Sequence, residues 1–445
     1  MNIVRELISG FWERPLPQTK PRGVDLARVP GMASVVIGMR RSGKTYLLFR
    51  KMKSLLEAGA DLRRMLYINF EDDRLHPLSD TVLEDTLETF FRMSPGGRDG
   101  TAHLFLDEIQ AVPGWARFGR RVLDTEEVDL YVTGSSSKLL SREVASEFLG
   151  RGLTTELFPL SFSEALVFAG EQPPDGMVGP RRRSALESSL EEYLRVGGFP
   201  AIQELEELQR IQVLQDYVEI VLLRDVVERH GVSNAHAARV FSHALLQSVG
   251  SKFSVNRLYG DLKSRGIRIG RNTLYELLDH LTDAFLLFTV PIYSRSLRVR
   301  ESNLRKIYAV DPGLVLAMAP AGTSDLGHRL ECAVYLELRR RLHPGRSAAV
   351  CYYQTVSGYE VDFVVGDPEF DSARELIGVC ASLENPATRK RECRALKEGM
   401  DELGISRSIL ITLHEKNSID VEPGRIEVVP AWEWLLGLSA GPGKR

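Results

Sequence analysis

Ser34-Val35-Val36-Ile37-Gly38-Met39-Arg40-Arg41-Ser42-Gly43-Lys44-Thr45 is the stretch that decides this chain. An apolar strand runs into G-x-x-x-x-G-K-T, and Tyr46-Leu47-Leu48-Phe49 continue as a helix. A phosphate-binding loop requires that order of strand, loop and helix. Its glycines let backbone N–H groups turn inward onto phosphate oxygens. The helix N-terminus adds a favourable dipole. Gly38, Met39, Arg40, Arg41, Ser42, Gly43, Lys44 and Thr45 are therefore the expected phosphate contacts. Lys44 supplies a point charge to the β- and γ-phosphates, and the Thr45 hydroxyl is a magnesium ligand.

Working outward, His103-Leu104-Phe105-Leu106-Asp107-Glu108 is an apolar strand ending in two acids. Asp107 is placed to hold the magnesium, and Glu108 to polarise a water for attack on the γ-phosphate. Arg64–Phe70 and Val128–Thr133 read as two more strands. They are followed by Glu71-Asp72-Asp73 and by Gly134-Ser135-Ser136-Ser137. Strands alternating with helices imply a parallel sheet covered on both faces, with ligands at the carboxyl ends of its strands. Thr133 and Ser135 then belong near the γ-phosphate or the attacking water. Phe148-Leu149-Gly150-Arg151-Gly152 precedes a last core strand. The Arg151 guanidinium suits a neighbouring subunit's phosphate, which would share the site between subunits.

At 445 residues with 43% hydrophobic content, the chain is long enough for about three domains with real cores. A net charge of −3 confines any nucleic-acid surface to a local patch. No stretch approaches the ~18 apolar residues of a membrane span. The N-terminal Met1-Asn2-Ile3-Val4-Arg5-Glu6 carries charge early and lacks an apolar signal core. Cys332, Cys351, Cys380 and Cys393 match no zinc spacing. Reduced thiols in a cytoplasmic protein are the expectation.

A polar break at Gly170–Gly176 closes the first domain, and the Arg181-Arg182-Arg183 run opens a solvated helix. Leu186 to Val232 has a helical pattern interrupted by Gly197-Gly198-Phe199-Pro200, the composition of a helical lid. Arg195 and Arg224 are its candidate phosphate contacts. From Ala235 to Pro312, three helical stretches precede two strands, the pattern of a winged helix-turn-helix. Its third helix would present Arg268, Arg271 and Asn272 to base edges. An extended ribbon carrying Arg295, Arg298, Arg300 and Arg305 would contact phosphates.

The last third reads α-β-β-β-α-β, which resembles the PD-(D/E)xK nuclease core. Glu331 and Asp362 match its helix and strand acids. Gly378 and Cys380 stand where the next acid and the lysine belong. Glu375, three residues from Gly378, points to the other strand face, and Glu384 lies roughly 20 Å too far along. With two acids and no lysine, nuclease activity is not expected.

Taken together the chain resembles the bacterial and archaeal AAA+-type ATPases that end in a degenerate nuclease-like domain. The carriers are Gly38–Thr45, Asn69-Phe70-Glu71-Asp72, Leu106-Asp107-Glu108, Thr133–Ser136, Gly150-Arg151 and Pro159-Leu160-Ser161-Phe162. Gly197–Pro200, Arg224-Asp225 and Glu360-Val361-Asp362-Phe363 match as well. The resemblance implies an α/β P-loop NTPase sheet over 1–170 and a helical lid over 171–234. A winged helix over 235–320 and the nuclease-like domain over 321–445 complete it. It also implies ATP and Mg2+ as cofactors and assembly into a homo-oligomer such as a ring. Two readings follow: a motor or remodeller acting on DNA, and an ATP/ADP switch directed at protein partners. Neither involves a membrane.

Overall fold

The computed structural model describes residues 3–136, 148, 150–319, 326–342, 349–370 and 372–438. Ser137 and Leu149, quoted in the motifs above, lie outside the described residues. The chain divides into two compact units: 1–158 with 283–285, and 159–282 with 286–445.

The first unit holds α1 (Ile3–Glu13), β1 (Ala33–Ile37), α2 (Lys44–Glu57), β2 (Met65–Asn69) and α3 (Val82–Met93). It continues with β3 (Ala102–Asp107), α4 (Trp115–Thr125), β4 (Val128–Gly134) and β5 (Gly152–Glu156). The strands form one parallel sheet in the order β2-β3-β4-β1-β5. Every residue of β1, β3 and β4 is buried, which explains their largely apolar sequences, broken inside the strands by Ser34, His103 and Asp129. This is the P-loop NTPase sheet expected from the sequence. Its register sets Asn69 beside Asp107, Leu106 beside Val132, and Ile37 beside Gly134. The carboxyl ends that carry the motifs thus finish level with one another.

The second unit opens with α5 (Phe162–Phe168), α6 (Pro180–Val196) and α7 (Glu207–Ile220), which continues into a π-helical turn over Val221–Glu228. Next come α8 (Ala235–Leu246), β6 (Lys252–Phe253), α9 (Val255–Ser264), α10 (Arg271–Asp283) and β7 (Leu287–Val290). Then follow α11 (Leu297–Ser302), β8 (Arg305–Ala309), α12 (Pro312–Met318) and α13 (Leu326–Arg341). The chain ends with β9 (Ala349–Gln354), β10 (Glu360–Asp367), β11 (Ser372–Val379), α14 (Pro386–Leu403), β12 (Arg407–Thr412), β13 (Asn417–Val421), β14 (Gly424–Pro430) and α15 (Ala431–Leu435). Two sheets result, β6-β8-β7 and the mixed β13-β14-β12-β11-β10-β9. The order α13-β9-β10-β11-α14-β12 is the one read from the sequence, whereas β13, β14 and α15 were not anticipated.

β7 and β8 pair antiparallel as the ribbon read from the sequence, but the connection that carries Arg295, Arg298 and Arg300 holds the helix α11. Ser296 caps that helix by accepting the Val299 N–H at 3.4 Å. Arg300 points back to donate to the Ser294 carbonyl at 2.7 Å, and it pairs with Glu369 at 3.4 Å.

Three glycines, Gly197, Gly198 and Gly313, meet in a single knot within this unit. The Leu160 N–H donates to the Gly198 carbonyl at 2.6 Å, and Tyr193 Oη donates to the Leu160 carbonyl at 2.9 Å. A Cβ on Gly198 would lie 2.3 Å from the Leu160 oxygen, and one on Gly313 would lie 2.3 Å from the Val196 oxygen. Gly197 stops α6 at φ +85°. Buried Asp311 accepts the Gly198 and Gly313 N–H groups, tying the turn after α6 to the start of α12.

Among the described residues, no helix is long and apolar enough to cross a membrane. The four cysteines are free thiols, with Cys332, Cys351 and Cys380 buried and Cys393 half-buried.

Candidate functional site

Six side chains from three strand ends and one helix, Lys44, Thr45, Tyr67, Asp107, Glu108 and Thr133, converge at the carboxyl edge of the parallel sheet. Gly38 follows β1 so closely that a Cβ would lie 2.2 Å from the Leu157 oxygen. Gly43 takes φ +101° and precedes α2 with no side-chain cap. The first N–H groups of α2 therefore have no side-chain acceptor, the arrangement that receives anions. Ser42 Oγ is buried with no hydrogen-bond partner, a second polar group inside the loop awaiting one. Lys44 is buried and donates to the Gly38 and Met39 carbonyls at 3.0 and 3.3 Å. The Met39 side chain is also buried, so its expected contact reduces to its backbone. Arg40 makes a bidentate ion pair with Glu71 at 2.6 and 2.7 Å, while Arg41 is exposed at φ +69°.

Asp107 is the hub. Thr45 Oγ1 donates to its Oδ2 at 2.7 Å, Tyr67 Oη donates to the same oxygen at 3.0 Å, and Thr133 Oγ1 donates to Oδ1. Glu108 takes φ +51°, which turns its N–H back to Thr133 Oγ1 at 3.0 Å. Its carboxylate faces Lys44 Nζ at 3.3 Å and accepts from Gln110 Nε2 at 2.7 Å. Gln110 also reaches Ser135 Oγ at 3.4 Å. Burial pushes the Asp107 carboxyl above its ordinary range, and the Glu108 charge adds to that. Burial also works to raise Glu108, but Lys44, Gln110 and Arg40 together hold it below the usual carboxylate range. An ionised Glu108 and an oxygen-rich hub at Asp107 and Thr45 fit a hard divalent cation and a polarised water.

Thr133 is fully buried, and its hydroxyl is spent on Asp107 and Glu108. It reaches the site by holding those two acids rather than by facing a phosphate directly. Tyr67 and Gln110 were not singled out in the sequence. The only signal for Tyr67 was its place two residues before Asn69 in a strand whose end the motif marks.

Arg151 lies at the opposite end of the sheet. Its carbonyl accepts the Ala33 N–H at 2.8 Å, at the start of β1, and its side chain pairs with Asp124. Five residues of β1 separate that edge from the loop, roughly 16 Å of strand. Arg151 therefore stays away from the Lys44 site of its own chain.

In the second unit, Arg268, Arg271 and Asn272 are exposed at and before the start of α10, as are Lys263 and Arg265. Arg295 and Arg298 are exposed, but Arg300 is only 13% exposed and held by Glu369 and Ser294. Arg195 pairs with Glu192 and Glu207, and Arg224 with Glu228. Gly378 faces Leu410 and Leu396, so an acid there would be aimed into apolar packing.

An AAA domain model matches residues 31–166. An uncharacterized protein of Methanocaldococcus jannaschii is 32% identical over 427 residues, spanning 93% of this chain and 90% of that one. This chain belongs to the same family. An uncharacterized protein of Haemophilus influenzae is 28% identical over 404 residues, 90% of this chain and 94% of its own. Residues 187–325 match a domain of unknown function (DUF8612). Among solved structures, the Aeropyrum pernix ORC1 protein in complex with DNA is similar at TM-score 0.31 and 15% identity, covering 71% of this chain and 90% of that one. AMPPCP-bound DnaA from Aquifex aeolicus is similar at TM-score 0.23 and 15% identity, covering 63% and 86%.

Proposed function

We propose that this protein is a Mg2+-dependent ATPase that acts on DNA as a homo-oligomer. The observation that carries the reading is the Lys44–Thr45–Asp107–Glu108 constellation. A bound Mg2+ would neutralise charge on the transferring phosphoryl group. Thr45 and Asp107 would hold that ion, Lys44 would leave the loop carbonyls for the phosphates, and Glu108 would accept the proton of the attacking water. The placement of Arg151 at the far end of the sheet supports a site completed by a neighbouring subunit. The exposed basic surface of Lys263, Arg265, Arg268 and Arg271 supports phosphate contacts with DNA.

One observation favours the second reading, an ATP/ADP switch with protein partners. Glu108 is held by both Lys44 and Gln110, and a base so engaged turns over slowly until released. Steady-state ATP hydrolysis, alone and with single-stranded, duplex and branched DNA, separates the two readings, with Lys44→Ala as the blank. Stimulation by one DNA form is the expected result. Turnover unchanged by every DNA selects the switch. Turnover equal to the Lys44→Ala blank under all conditions overturns the ATPase itself. Glu108→Gln is expected to retain ATP and stall hydrolysis.

A further inference from the structure

Arg40 and Glu71 form a bridge across the strand ends of the candidate site. Arg40 lies three residues after β1, and Glu71 lies two residues after β2. β3 and β4 separate those strands in the sheet. Three strand intervals are roughly 14 Å, so the pair crosses the ends that carry Asp107, Glu108 and Thr133. It is bidentate, with Arg40 Nη1 2.7 Å from Glu71 Oε2 and Nη2 2.6 Å from Oε1. Glu71 is anchored beside Asp107. Its N–H donates to Asn69 Oδ1 at 2.9 Å, and the Phe70 N–H donates to the Asp107 carbonyl at 3.0 Å.

The phosphate-loop pattern assigns backbone N–H groups and one lysine to the phosphates and leaves position 40 open. The Arg40 side chain is nonetheless only 19% exposed, whereas its neighbour Arg41, at φ +69°, is exposed to solvent. Burial works to raise Glu108, and the Arg40 charge joins Lys44 and Gln110 in opposing it, so the guanidinium lies within electrostatic reach of that carboxylate. A guanidinium carries five N–H donors in a planar fork, enough to hold a carboxylate and a phosphate oxygen together. As a surface ion pair alone, Arg40–Glu71 would contribute little. A cation held over the strand ends where phosphoryl charge develops is instead pre-organised to stabilise that charge. Arg151, at the far end of the sheet, leaves this role open within the chain.

We propose that the Arg40 side chain is a γ-phosphate ligand supplied by the chain's own loop, and that Glu71 is the residue that positions it. The proposal rests on the ATPase reading above and names a second cation of that same site. A carboxylate repels a phosphate, so Glu71 acts only by aiming the guanidinium. ADP lacks the γ-phosphate, and its binding does not use Arg40.

The test compares wild type, Arg40→Ala, Glu71→Gln, the double variant and the Lys44→Ala blank. The first measurement is calorimetric binding of ADP and of AMPPCP, which keeps a γ-phosphate and resists hydrolysis, each with Mg2+. Arg40→Ala is expected to lower the ratio of AMPPCP to ADP affinity by at least about tenfold. Its ADP affinity should stay within about twofold of wild type, which also reports a folded loop. The second measurement is steady-state ATP hydrolysis. We expect kcat to fall at least about a hundredfold in Arg40→Ala and about tenfold in Glu71→Gln. The double variant should match Arg40→Ala, because Glu71 acts only through Arg40. If Arg40→Ala binds no ADP, Arg40→Lys, which keeps the charge and loses the fork, takes its place with the same expected direction. An unchanged affinity ratio overturns Arg40 as a γ-phosphate ligand. A double variant that falls by the product of the two single losses overturns Glu71 as its positioning residue. Wild-type turnover equal to the Lys44→Ala blank sinks the ATPase reading instead, and the affinity ratio then decides the proposal by itself.

Discussion

Replacing Thr133 by valine removes one oxygen and leaves the shape of the side chain almost unchanged. In the structure that oxygen does two things at once. It donates to Asp107 Oδ1, and it accepts the Glu108 N–H at 3.0 Å. A hydrogen bond to a charged group contributes about 1.5–3 kcal/mol, and an unsatisfied buried N–H costs about 1–3 kcal/mol. Thr45 and Tyr67 still hold the other oxygen of Asp107, which relieves part of the loss. We therefore expect Thr133→Val to destabilise the parallel-sheet unit by about 3 kcal/mol. For a unit of this size that corresponds to a fall in melting temperature of about 6–12 °C. The same loss frees Asp107 to turn, so the Mg2+ concentration giving half-maximal hydrolysis should rise about tenfold, worth about 1.4 kcal/mol. The assays are thermal melting followed by near-ultraviolet circular dichroism, and ATP hydrolysis across a Mg2+ titration. Thr133→Ser keeps the hydroxyl and should stay within about 1 kcal/mol of the parent in both. A Thr133→Val protein that melts and responds to Mg2+ like the parent would refute the hub described here.

Three further outcomes follow from the same geometry. Gly198→Ala drives a methyl to 2.3 Å from the Leu160 oxygen, so it should cost about 3 kcal/mol or fail to fold, whereas Gly176→Ala, with open space around it, should be neutral by chemical denaturation. Arg268→Ala with Arg271→Ala should lower the slope of log binding constant against log salt by about 1.8 for duplex DNA, while Arg300→Ala, already paired with Glu369, should leave it unchanged. Burial pushes Asp311 up to about 6 from 3.8, with the Gly198, Gly313 and Leu314 N–H groups opposing. A raised carboxyl adds stability that is complete below the unfolded value and lost as pH rises through the folded one. The wild-type protein should therefore lose stability relative to Asp311→Asn between about pH 4 and pH 6.5. A difference between the two that stays flat across that window would remove Asp311 from this role.

The first unit was readable because its physics is local. A parallel strand buried on both faces is mostly apolar, so β1, β3 and β4 announce themselves, and the loop after β1 carries its glycines and lysine in one run. Tyr67 and Gln110 were not readable for the opposite reason. Tyr67 meets Asp107 only because strand register sets β2 against β3, and no spacing along the chain encodes that register. The arginines between β7 and β8 suggested an extended ribbon, but Ser296 three residues before Val299 is a helix cap, and Arg300 found acceptors behind it. That cap was present in the sequence and was outweighed by the charge pattern.

The C-terminal acids show most clearly what linear reading omits. The sequence pattern set Gly378 where an acid of the site belongs, but in the structure Gly378 faces Leu410 and Leu396. The missing charge is Lys306 on β8, 25 residues before Glu331 and 56 before Asp362, on a strand assigned to a different module; its Nζ donates to both acids. A buried carboxylate pair without a counter-cation is itself an incomplete description, because the cost of such a pair exceeds what packing returns. Glu108 is held low by Lys44, so any ligand that draws Lys44 toward its own charge also alters the group that holds Glu108. Binding and water activation are thereby coupled through one side chain, and a Lys44→Arg variant that binds nucleotide but leaves Glu108 tied would separate the two.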